Sequence, residues 1–157
     1  MEELEKNVYT DEEYYWSQGG NTGTLPDQIT PSMIKFLQEN EVFVFGSNRQ
    51  GMHMSGAAAF AMKKFGAKWG VGEGLQGQSY ALPTMEGFES VKEAVSRFIN
   101  FAKDHEELRF YVTAVGCGIA GYRAEEIAPL FLDATQLSNV YLPLDFWKIL
   151  INIIKGV

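Results

Sequence analysis

The sequence predicts an α/β fold, a three-layer sandwich around a mixed, largely parallel sheet. Three observations carry that expectation. Short apolar runs rich in Val, Phe and Tyr alternate with helix-like stretches along the chain. Strands that alternate with helices pair in parallel through crossover connections. Glycines gather where an apolar run passes into a helix, where the loops of such a sheet lie.

Taken in order, residues 1–25 read as a peripheral arm, acidic and aromatic and then turn-rich at "SQGGNTG". Tyr14, Tyr15 and Trp16 are suited to pin it to the domain or to a partner. Residues 26–157 read as one α/β domain. "TPSMIKFLQEN" predicts a first helix, with Thr30 as N-cap and Pro31 in the first turn. "EVFVF" is a buried-strand signal, and "GSNRQGMHMSG" is a loop. "AAAFAMKKF" predicts a helix with Ala57, Phe60, Ala61 and Phe65 on one face, Lys63 and Lys64 near its C-terminus and Gly66 as its stop. "AKWGVGEGLQGQ" reads as a long glycine-rich connection, and "SYALP" as a strand ended by Pro83. "SVKEAVSRFINFAKDH" is the clearest helix, with Ser90 and Glu93 in a capping-box pattern and Val91, Val95, Phe98 and Ala102 at helical spacing. "LRFYVTAV" predicts a strand and "AEEIAPLFLDA" a helix in which Pro129 marks either the first turn or a kink. "NVYLP" and "LDFWKILINII" close the chain as strand and helix.

Composition narrows the function. The chain of 157 residues is 46% hydrophobic and 21% charged, which suits a globular domain. A net charge of −7 argues against general nucleic-acid binding, because there is no basic surplus to displace counterions. It does not argue against a small anion, since backbone amides carry no formal charge. One cysteine, Cys117, leaves no intramolecular disulfide, and no apolar run reaches the roughly 20 residues of a membrane helix. The expectation is a cytoplasmic protein without a membrane segment or a cofactor. Two distant histidines and one cysteine predict no zinc site.

Two loops carry the chemistry. Phe45–Ala59 and Val115–Tyr122 each follow a strand and feed a helix N-terminus, where unpaired N–H groups and the helix dipole favour a phosphate. Side by side they would clasp a diphosphate. GxxxxGK[ST] does not occur. Asn48 is the candidate to hydrogen-bond a sugar hydroxyl, against an Asx turn that closes the loop. His53 is expected to be solvated and His105 to lie at the surface. Cys117 reads as a small buried loop residue, against a thiol activated by the helix N-terminus. Glu73 is either a base or a solubilising charge on a mobile loop. Thr84 stands at a strand end that faces the same cleft. Tyr122 and Phe45 are candidates to stack on a base or ribose, against core roles, and Glu125 and Glu126 complement a helix dipole.

Together, "FGSNRQGMHMSGAAAFA", "VGCGIAGYRAEEIAPLFLDA" and "SYALPT" resemble the macrodomain family of ADP-ribose-binding modules, over about residues 40–142. The spelling is nearest the branch that includes the terminal ADP-ribose glycohydrolases. The resemblance implies a mixed sheet flanked by helices and a cleft for ADP-ribose or a related nucleotide sugar. Its ligand-binding set would be Gly46, Ser47, Asn48, Ser55, Gly56, Ala57, Thr84, Gly116, Cys117, Gly118, Ile119, Ala120, Gly121 and Tyr122. Asn48 would contact the distal ribose, and Asp27 would be a candidate partner for adenine. The branch's Lys and Asp are replaced here by Met85 and Ala120, which can serve neither as nucleophile nor as acid. Hydrolysis of an ADP-ribosyl ester or phosphate would therefore need a substrate-assisted route, with Asn48 holding the ribose. Two other readings stand beside this one. "VFVFGSN" looks like the opening of a Rossmann-like nucleotide phosphoribohydrolase, although the Pro-Gly-Gly-x-Gly-Thr-x-x-Glu motif of that family is missing. The aromatic arm and apolar tail would alternatively form the interface of a homo-oligomer.

Overall fold

The computed structural model describes residues 6–18 and 28–156. Five strands form one sheet: β1 (Glu41–Ser47), β2 (Gly74–Gln76), β3 (Ser79–Pro83), β4 (Arg109–Val112) and β5 (Val140–Tyr141). Their order is β2-β3-β1-β4-β5. β1 pairs in parallel with β3 and β4, β4 pairs in parallel with β5, and β2 alone is antiparallel, against β3. The sheet is thus mixed and mostly parallel.

The period of two along β1 builds both cores. Val42 and Val44 face one side of the sheet, while Phe43 and Phe45 face the other. On the first side lie α3 (Phe88–Lys103), a 3-10 helix (Ala128–Gln136) and α5 (Leu144–Lys155). Phe98, Phe110, Phe131, Phe146 and Trp147 fill the space between them. On the second side α2 (Gly56–Lys64) packs Ala58 and Ala61 against Phe43, Phe45 and Phe65. These are the three layers of the predicted sandwich. A short α4 (Ala124–Ile127) follows the second glycine loop, and the helix changes to 3-10 geometry at Ala128, with Pro129 in the first turn of the tighter segment. Pro129 lacks an N–H for an i−4 bond, and an early position there removes that cost.

The described part of the arm packs on the domain. α1 (Asp11–Ser17) starts with a capping box between Thr10 and Glu13. Tyr9 donates to the carbonyl of Ile29 at 2.9 Å, and Lys148 on α5 bonds Glu12 and lies over the Trp16 ring. Among the described residues, no helix is long and apolar enough to cross a membrane.

Three expectations change. Residues 30–40 form no helix. The chain there is extended, with an antiparallel bridge from Met33 to Val8, and Ile29 bridges Leu142. The N–H groups of Lys35 and Phe36 donate to Asn7 Oδ1 at 2.7 and 3.2 Å, and that of Met33 donates to Val8 O. Distant partners take the donors that an isolated helix would have used. Second, α3 begins at Phe88 with Gly87 as its N-cap, so Ser90 and Glu93 form no capping box. Ser90 instead accepts from Arg49. Third, the glycine-rich connection contains β2, a three-residue strand too short to show a period.

Candidate functional site

β1 and β4 are adjacent and parallel, so the loops that follow them emerge at the same edge of the sheet. A cavity of about 650 Å³ opens between them. Gly46, Ser47, Asn48, Ser55, Gly56, Ala57, Thr84, Gly116, Gly118, Ile119 and Ala120, all expected from the sequence, line it. Cys117, Gly121 and Tyr122 do not. Cys117 and Tyr122 pack toward the core, and Tyr122 meets Phe88 edge-on at 5.8 Å. Phe45 lies fully buried beneath α2 and offers no stacking face. Asp27 lies outside the described residues. Met52, Met54, Ala58, Thr113, Ala114 and Val115 were not singled out and also line the cavity, as does Met85. The alternation Met52–His53–Met54, with only the middle residue buried, was the available signal for the two methionines.

Among the described residues, every side chain in the lining is neutral, so backbone dipoles supply its electrostatics. α2 starts at Gly56, and Ser55, at the cap position, makes no capping hydrogen bond. The first N–H groups of a helix have no intrahelical acceptor. Those of Gly56, Ala57 and Ala58 therefore present the positive end of α2 to the cavity they line. Across from them, the second loop folds on itself: the N–H groups of Cys117, Gly121 and Tyr122 donate to the carbonyls of Ala114, Gly118 and Gly116 at 3.1, 3.0 and 2.9 Å. The N–H groups of Gly118, Ile119 and Ala120 donate in none of these bonds. Gly116, at φ +78°, supplies the left-handed turn on which the loop depends, whereas a Cβ at Gly118 would meet open space.

The first loop rests on the glycine-rich connection. A Cβ on Gly72 would come within 2.2 Å of the Arg49 carbonyl oxygen and 2.4 Å of that of Asn48. Gly51, at φ +72°, approaches the Val71 backbone as closely. Ser47 Oγ donates to the Gly72 carbonyl, and the Gly70 N–H donates to Gly51 O. Backbone thus lies directly on backbone beneath the cavity. Asn48 closes the loop: its Oδ1 accepts from the Met52 N–H at 2.8 Å and its Nδ2 donates to Met52 O at 3.1 Å. An amide has further donor and acceptor capacity, so this closure leaves room for a ligand bond.

His53 corrects the expectation of a solvated histidine. Its ring is 1% exposed, stands edge-on to Phe45 at 5.2 Å, and bonds the Val71 carbonyl through Nε2 at 3.2 Å. The reason is the alternation that sends Met52 and Met54 outward and the imidazole in. Nδ1 is buried and finds no hydrogen-bond partner among the described residues. His105, half-buried, stacks on Phe101 at 4.0 Å. Glu73 is held by Arg97 in a two-bond ion pair at 2.6 and 3.0 Å, away from the lining. Cys117 is no activated thiol. Burial raises its pKa, and the carboxylates of Glu125, Asp145 and Glu126 raise it further. Among the described residues, no group of three or more His, Cys, Asp or Glu is placed to hold a metal ion.

A second cavity, of about 420 Å³, adjoins the first. Gly56, Ala57 and Thr113 line both. Its other walls include Ile34, Phe43 and Phe60, with Lys35 and Lys64 also lining it. No family model matches the chain, and neither a curated protein nor a solved structure is significantly similar to it.

Proposed function

We propose that this protein binds ADP-ribose or a closely related nucleotide sugar in the cavity between its two glycine loops. One observation carries the reading: two sets of backbone N–H groups, Gly56–Ala58 and Gly118–Ala120, flank one cavity whose side chains, among the described residues, are all neutral. That is a setting for a diphosphate bound through dipoles rather than through cations. In this reading the base enters the apolar cavity beside Phe43 and Phe60, and the second ribose lies against Asn48 and Thr84. Met85 and Ala120 line the cavity without an ionisable group, so the reading stops at binding.

Calorimetric titration with ADP-ribose, with AMP and NAD as controls, tests it. Micromolar binding of ADP-ribose is expected, with AMP weaker because it lacks the second phosphate and ribose. Gly118→Glu is the cleaner variant. Its Cβ enters open space at an ordinary φ, so the chain folds, and the carboxylate then occupies the anion's place. Asn48→Ala also opens the bonds to Met52 and so reports on loop closure as well as on ligand contact. A folded protein that gives no heat with ADP-ribose, or a Gly118→Glu variant that binds it as well as the parent, refutes the assignment.

A further inference from the structure

We propose that the cavity carries a redox modification site: a hydroperoxide converts the Met54 thioether to the sulfoxide, and the sulfoxide oxygen then closes the anion site to its ligand. The inference rests on the reading above and concerns its regulation. Of the six methionines in the chain, Met52, Met54 and Met85 line the first cavity and Met33 the second, whereas Met62, on α2, lines neither. None of these five belongs to either core, so packing does not account for them. Met54 is 73% exposed, more than any other described methionine. A thioether reacts without having to ionise first, so access decides which sulfur is oxidised. The sulfur gives up two electrons and an S–O bond forms as the O–O bond breaks. The peroxide's other oxygen keeps a proton and leaves as water or an alcohol. A methionine sulfoxide reductase, drawing electrons from a thiol, reverses the step.

The effect of the added oxygen follows from its place. Met54 stands two residues before Gly56, and Ser55 between them offers the first N–H groups of α2 no side-chain bond. A sulfoxide carries its oxygen on the third side-chain atom, as glutamine does, and it accepts hydrogen bonds without donating any. Oxidised Met54 thus supplies the acceptor that the helix end lacks, from a tether at the cavity itself. Met52 and Met85 are less exposed and stand farther along the chain from the start of α2. A phosphate has to displace the tethered oxygen before it reaches these amides. One or two hydrogen bonds of ordinary strength make that a loss of about tenfold in affinity.

Titration of ADP-ribose into untreated and peroxide-treated protein, with mass mapping of each methionine, tests this. Oxidised wild type should stay folded by circular dichroism and bind about tenfold more weakly, and methionine sulfoxide reductase with dithiothreitol should restore the affinity. Met54→Leu should keep most of its affinity after peroxide. Met54→Gln, which puts an amide oxygen where the sulfoxide oxygen lies, should bind weakly without any peroxide. Bound ADP-ribose should slow oxidation at Met54 and leave Met62 unchanged. Cys117 is present in every variant, so its oxidation does not separate them. An oxidised wild type that binds as tightly as the untreated protein, or an oxidised Met54→Leu that loses as much affinity as wild type, overturns the proposal while ADP-ribose binding stands. If the untreated protein gives no heat with ADP-ribose, the reading of the cavity falls and this inference with it.

Discussion

Three glycines in or behind the cavity separate two physical reasons for having no side chain from the absence of either, and alanine substitution tests them in one experiment. Gly72 is constrained by space. Its added Cβ would lie 2.2 Å, 2.4 Å and 2.5 Å from backbone atoms of Arg49 and Asn48, far inside the 3.0 Å that Cβ atoms keep. No rotamer change relieves a clash with backbone, so the first loop must lift from the glycine-rich connection. Overpacking of this kind costs about 3 kcal/mol, to which loss of the Ser47 bond to the Gly72 carbonyl adds. Gly70 is constrained by conformation alone: φ is +89°, and nothing stands within 4 Å of its Cβ. Alanine there should cost about 1–2 kcal/mol. Gly118 has neither constraint, so Gly118→Ala should lie within about 0.5 kcal/mol of wild type.

Urea unfolding of the three variants reads the order directly. For a chain of this length about 3 kcal/mol also lowers the melting temperature by roughly 6–12 °C. The first loop carries Asn48, so Gly72→Ala should weaken ADP-ribose binding as well, while Gly70→Ala leaves it within a few-fold. Equal losses for Gly72→Ala and Gly118→Ala would refute the steric argument. A stable Gly72→Ala would show that the loop does not rest on the connection as described.

Other perturbations follow from the same geometry. Burial, with the Glu73 charge adding, pushes the Tyr80 phenol up to about 12 from its ordinary 10. The folded state therefore keeps that proton to higher pH than the unfolded chain does, and stability should fall between about pH 10 and 12, by about 2–3 kcal/mol for this group. Urea midpoints at pH 9 and pH 11 check this, and Tyr80→Phe should reduce the drop; an unchanged drop would assign it elsewhere. His53→Ala removes a buried ring and the bond to the Val71 carbonyl, and should cost about 3 kcal/mol in urea. A loss below about 1 kcal/mol would contradict the buried placement. Cys117 should alkylate with iodoacetamide more slowly than an exposed thiol at neutral pH, with a rate profile that turns upward only above the ordinary thiol range. An inflection near neutrality would restore the activated thiol. Glu73→Gln breaks a half-exposed ion pair and should shift stability by less than about 1 kcal/mol without changing ligand binding. A loss of binding would bring Glu73 into the site.

What the sequence makes legible is what depends on local pattern. β1 is a continuous apolar run because both of its faces are buried, and α3 repeats its apolar residues at helical spacing because one face is. The two glycine loops are visible because each interrupts such a pattern at a strand end. The helix expected over 30–40 does not form because the structure there is decided by Val8 and Asn7, more than twenty residues away, and no local preference reports a partner at that distance. His53 is buried rather than solvated for a related reason. A histidine in a polar, glycine-flanked loop looks solvated unless the loop is known to lie on another stretch of backbone, as this one does on residues 70–72. Tyr122 and Cys117 were placed in the cavity because a loop was treated as a unit, whereas its residues divide between cavity and core one by one.

The division within the first loop links fold to function. Met52 and Met54 line the cavity because His53 between them points to the core, and His53 points to the core because Val71 offers it a carbonyl. Val71 is in place because Gly70 and Gly72 let the connection run flush beneath Asn48, Arg49 and Gly51. The same contact keeps the chain on course to Gly56, where the uncapped end of α2 meets the cavity. A dipole-based anion site gains strength from groups held still before the ligand arrives, since reorientation on binding would consume the gain. Gly70 and Gly72 therefore serve the proposed site without lining it. They let two backbones touch, and that contact holds the amides of the first loop in position.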